Sequence, residues 1–91
     1  MTYDEFIALG APELPIGYTY RLTYEGNKNA RLEIVEEYPT FFLGRTKYRS
    51  IISRVFNINM SSAAYIALGL YDSWQREVSA LQQSSIGVME R

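Results

Sequence analysis

The sequence predicts an α+β domain: a short N-terminal helix, a three-stranded antiparallel β-meander, then a short helix and a long amphipathic C-terminal helix packed on one sheet face. Three observations predict it. Tyr18 to Tyr24 alternates, with Tyr18, Tyr20, Leu22 and Tyr24 on one side and Thr19, Arg21 and Thr23 on the other, the pattern of a half-buried strand. A polar turn and a second β-favouring run follow it, which makes a hairpin. From about Ser61 to Gln83, apolar residues recur at helical spacing down one side.

The elements follow in order. Thr2-Tyr3-Asp4-Glu5 has the Thr-x-x-Glu form of a capping box, with Asp4 and Glu5 beside the partial positive charge of a first helical turn. Phe6, Ile7 and Leu9 give that helix an apolar side, and Gly10 ends it. Residues 11–17 form a Pro- and Gly-containing connector. In the hairpin, a loop of three or five residues centred on Asn27 places Leu22 opposite Leu32, Tyr20 opposite Ile34 and Tyr24 opposite Ala30. The same register sets Arg21 against Glu33 on the other face. A two-residue turn would set apolar against polar positions and is disfavoured.

Pro39 interrupts the second strand, and Thr40-Phe41-Phe42-Leu43 reads as a short third one. Ile51, Ile52, Val55 and Phe56 have the spacing of a helix face over Ser50 to Phe56. Asn59 or Ser61 would cap the last helix. Its stripe is Ala63, Ile66/Ala67, Leu70, Trp74, Val78 and Leu81, and Gly69 within it suggests a close backbone approach. Residues 1–83 read as a single domain and 84–91 as a flexible tail.

Size and composition exclude several functions. Ninety-one residues make one domain, and 47% hydrophobic content supplies its core. The chain holds no cysteine and no histidine, which removes disulfides, thiolate and imidazole metal sites, and the Cys–His and Ser–His nucleophilic pairs. The expectation is a non-enzymatic protein without cofactor or metal. No secretory signal or membrane-length apolar run is visible, so a cytoplasmic location is expected. Glu36 and Glu37 are adjacent and point to opposite faces of a strand, which rules out their acting together as an acid/base dyad.

The charge is divided along the chain. Residues 1–37 hold seven carboxylates against three bases, whereas residues 38–71 hold Arg45, Lys47, Arg49 and Arg54 and no carboxylate. Such asymmetry bears on partners. Arg45, Lys47, Tyr48, Arg49 and Arg54 are the candidate contacts to a partner or to phosphate, with the dipole of a following helix as an added attraction. The plain alternative is a solvated loop balancing Glu33, Glu36 and Glu37. The segment is not a Walker loop, since only Gly44 precedes Arg45-Thr46-Lys47.

The Tyr18/Tyr20/Tyr24 row has the form of a base-stacking platform, but Leu22, Leu32 and Ile34 share its face, which marks it as core. Leu70, Tyr71, Trp74, Val78 and Leu81 are the candidate self-association residues, because a helix longer than its sheet can pair with a second copy. Their alternative role is closing the core.

The order of elements resembles that of double-stranded-RNA-binding domains, but Ser50-Ile51-Ile52-Ser53 stands where that family has a lysine-rich helix start. No role is carried over from it. The composition is also similar to that of small viral and plasmid accessory proteins. The sequence thus points first to an interaction or regulatory module, homodimeric and directed at a protein partner. Nucleic-acid binding through 45–54 is the alternative, with no membrane partner.

Overall fold

The structure, a computed structural model, describes residues 1–39 and 46–89, with side chains described for 1–38 and 46–79. The described residues form an α+β fold with one three-stranded antiparallel sheet and two helices: α1 (Tyr3–Ala8), β1 (Tyr18–Gly26), β2 (Asn29–Pro39), β3 (Thr46–Asn57) and α2 (Ala63–Met89). Among the described residues the strand order is β1-β2-β3, so β2 is central and β1 and β3 are edges.

Helix α1 starts as its sequence requires. The Thr2 hydroxyl accepts a hydrogen bond from the Glu5 backbone N–H at 3.2 Å, with Asp4 and Glu5 in the first turn. It ends in a Schellman motif: Gly10, at φ 111°, donates to the Ile7 carbonyl and Ala11 donates to that of Phe6. This brings Phe6 and Ala11, both buried, onto the sheet.

The β1–β2 register pairs Tyr20 with Ile34, Arg21 with Glu33, Leu22 with Leu32 and Tyr24 with Ala30, as expected. The turn differs from the expectation. It is a two-residue turn at Asn27 (φ 52°) and Lys28 (φ 61°), combined with a bulge between Tyr24 and Gly26. Two positive-φ residues match the right-handed twist of the flanking strands. The bulge takes up the extra residue, so the ladder keeps apolar against apolar despite the short turn.

The segment expected to form a short helix over Ser50–Phe56 is part of β3 instead. The strand expected at Thr40–Leu43 lies outside the described residues. β3 pairs Phe56 with Ala30, Arg54 with Leu32 and Ile52 with Ile34, then shifts register so that Ser50 meets Val35. Ile51 is the extra residue of this bulge. With it, Ile51 and Ile52 both pack against the core, and two neighbouring apolar residues on one side imitate the spacing of a helix. β-branched Ile51, Ile52 and Val55 suit the strand.

Both helices cover one face. Phe6, Ala30, Leu32, Ile34, Phe56, Ile66, Ala67, Leu70 and Trp74 form the core, with Tyr18 and Tyr20 packed against it. The Tyr20 ring meets Phe6 edge-on at 4.9 Å, and Tyr18 lies 4.8 Å from Trp74. Ser62 caps α2, its hydroxyl accepting from the Tyr65 N–H at 3.2 Å, one residue beyond the expected Ser61. Leu32, Ile34 and Leu70 are fully buried on this face, each contributing roughly 1.5–3 kcal/mol of burial. Gly69 faces the Arg54 side chain rather than backbone: a Cβ there would stand 3.0 Å from Nη1.

Candidate functional site

The opposite sheet face carries no helix among the described residues. Its centre is Val35, 1% exposed, beside Glu33. Arg21 forks onto Glu33 with Nε–Oε1 at 2.9 Å and Nη2–Oε2 at 3.1 Å, a bidentate pair that shields the carboxylate. Hydrogen bonding from Arg21 holds the Glu33 carboxyl below its usual range; burial opposes this, and the Ser50 hydroxyl adds to it. Arg21 moves upward for the complementary reason. The pair explains why a carboxylate is buried here and leaves it no acid/base role.

β3 borders this face and forms an outer edge of the sheet. Its side chains divide by face. Ile52, Arg54 and Phe56 lie on the helix side, as do Lys47 and Arg49 beyond the bulge, opposite Tyr38 and Glu36. Thr46, Tyr48, Ser50, Ser53 and Val55 lie on the open side. Residues 46–50 and 53–55 are all exposed; Tyr48 and Val55 are 50% and 52% so. Arg49 pairs with Glu36 while two-thirds of its side chain stays in solvent. β3 contains no carboxylate.

The sequence-predicted site residues are thus partly brought together. Lys47, Arg49 and Arg54 share one face of one strand, whereas Tyr48 points to the other. Arg45 lies outside the described residues. Because 46–57 is a strand, no helix N-terminus follows Lys47 and Arg49, and the expected dipole contribution is not there. Leu70 and Trp74 are buried in the core, with Tyr71 and Val78 packed against it; Leu81 lies outside the described side chains. Sequence reasoning missed Ser53 and Val55 as parts of the same surface. Their signal was the β-branched and hydroxyl content of the run, outweighed by the apparent helical spacing.

Two small depressions lie among the described residues. A cleft of about 60 Å³ lies between Met1, Tyr3, Phe6, Tyr20 and Leu22, and a shallow depression of about 160 Å³ lies between Thr19, Arg21, Val35 and Tyr48. Both are below the roughly 300 Å³ at which ligand pockets begin. The Tyr20 hydroxyl donates to the Pro12 carbonyl at 2.7 Å, and burial pushes its pKa far above the ordinary tyrosine value, with Tyr3 and Tyr71 adding to the shift. Tyr20 is therefore a structural tie between connector and sheet. Among the described residues no cluster of carboxylates could hold a metal ion, and no helix is long and apolar enough to cross a membrane. No family model, curated protein or solved structure matches the chain.

Proposed function

We propose that the chain is a non-enzymatic protein-interaction module whose contact surface is the outer edge of β3. The observation that carries this reading is a twelve-residue edge strand, most of whose side chains are exposed. An edge strand presents a row of backbone N–H and C=O groups ready to pair with another chain. In this reading α2 closes the other face through its apolar stripe from Ala63 to Val78 and holds the sheet rigid. The surface is β3 rather than the stripe from Leu70 to Leu81, because Leu70 and Trp74 are spent within the core. Self-association through β3 remains one form of this function. Nucleic-acid binding has less support: Glu36 sits among the cations, and Tyr48 lies on the face away from them.

The test places a photocrosslinking phenylalanine derivative at Tyr48, and separately at exposed Asp72 on α2. Irradiation in the native host should yield protein adducts at 48 and not at 72. Adducts with nucleic acid at 48, or protein adducts at 72 alone, would overturn the reading.

A further inference from the structure

We infer that β3 takes an acidic, extended polypeptide segment as an added strand, with carboxylates alternating with β-branched or aromatic residues along it. The inference rests on the edge reading above and names the partner's chemistry. Strand addition works through two layers: main-chain hydrogen bonds supply affinity, and alternate side chains supply selectivity. On β3 those layers differ by face. Lys47, Arg49 and Arg54 lie on the helix side, and Thr46, Tyr48, Ser50, Ser53 and Val55 on the open side.

A neighbouring strand must meet the first set with negative charge and the second with residues that pack on Tyr48 and Val55. Because side chains alternate faces, those two demands fall on alternate residues of the incoming segment. β2 already meets the first demand from the inner side, where Glu36 reaches Arg49 across the ladder. The guanidinium has five donors and its side chain is 67% exposed, so it retains donors for an outer carboxylate.

A second copy of β3 fits less well. Antiparallel pairing of Thr46–Asn57 with itself over its full length sets Arg49 opposite Arg54 on both sides of the two-fold axis. A two-residue slip that shortens the overlap toward Thr46 exchanges this for Lys47 opposite Arg54. Like charges directly opposite are destabilising, and the bulge at Ile51 further spoils a matched pairing. In these two registers the strand's own cations oppose self-pairing, whereas an acidic partner meets them with opposite charge. Phosphate would satisfy the cations but leave the backbone edge and the Tyr48–Val55 face unused.

The test titrates the full chain with a fluorescent, end-capped peptide as long as β3, twelve residues, in which Glu alternates with Val and Thr. Controls carry Lys in place of Glu, or N-methyl groups on every second residue along one edge or along the other. A thymidine oligonucleotide is the competitor. Anisotropy should report binding of the Glu peptide and none of the Lys peptide. One N-methylated form should bind at least about ten-fold more weakly while the other is unaffected, because only one edge meets β3. Lys47→Gln with Arg49→Gln should weaken the Glu peptide by about ten-fold; because Arg49→Gln gives up only an exposed ion pair with Glu36, a retained cooperative melting transition is the check on folding.

Equal binding of both N-methylated forms would mean charge attraction without strand addition, and would overturn the inference. So would no binding of the Glu peptide, or displacement by the oligonucleotide at lower concentration than by unlabelled peptide. If the peptide fails while position 48 still crosslinks to protein, the edge reading stands and the acidic-strand partner falls.

Discussion

Replacing Arg21 with Met tests the electrostatics of the open face. The aliphatic stem is kept, and the guanidinium that forks onto Glu33 is removed. Glu33's side chain is 9% exposed and Arg21's 46%, so the pair lies between a surface ion pair and a buried one. Two charge-assisted hydrogen bonds at about 1.5 kcal/mol each give about 3 kcal/mol. Solvent around the arginine reduces this, and we expect a loss of about 2 kcal/mol near neutral pH. For a chain of this length that is a fall in Tm of roughly 8–16 °C.

The cost should depend on pH in a defined direction. Arg21 depresses the folded-state pKa of Glu33, so the unfolded chain takes up the proton first as pH falls. The stabilisation is complete above the ordinary glutamate value of 4.5. It is lost as pH falls through the depressed folded value. Urea unfolding followed by Trp74, the single tryptophan and 7% exposed, gives both numbers. The cost of Arg21→Met should be constant well above 4.5 and shrink steadily over the acid range below it. A cost that stays constant over that range would refute the ion-pair account and leave only packing.

Two further substitutions test local geometry through Tm. Gly69→Ala should stabilise by about 0.5 kcal/mol, since the helix gains propensity and the atom in the way is the mobile end of exposed Arg54; a loss of stability would show that Arg54 cannot move aside. Lys28→Gly should stabilise by about 0.5–1 kcal/mol, because Lys28 holds φ 61° in the two-residue turn; destabilisation would contradict that turn.

The hairpin was legible because every signal in it agreed. Alternating Tyr and Leu on β1, the partner run on β2, and Arg21 against Glu33 all select one register. The Thr2 cap and the Gly10 stop were legible for the same reason, being local and chemically specific. What escaped were two single-residue insertions. The bulge after Tyr24 hid a two-residue turn behind the spacing of a longer loop. The bulge at Ile51 placed two adjacent isoleucines against the core and made a strand read as a helix.

That second insertion changed the site more than the fold. Lys47, Arg49 and Arg54 were recognisable as a charge cluster from the sequence. Their common face, and the separation of Tyr48 from them, depended on strand geometry with the bulge included. Gly69 signalled a close approach, but nothing in sequence spacing could identify the Arg54 side chain as what approaches it.

Amide hydrogen exchange along β3, without and with the alternating Glu peptide, is the most direct measurement. In the protein alone, alternate amides between Thr46 and Asn57 should be protected by β2 and the intervening set should exchange quickly. Adding the peptide should slow that intervening set and leave α2 unchanged. Uniform protection of β3 before any peptide is added, or slowing confined to α2, would contradict an open edge that recruits an acidic strand.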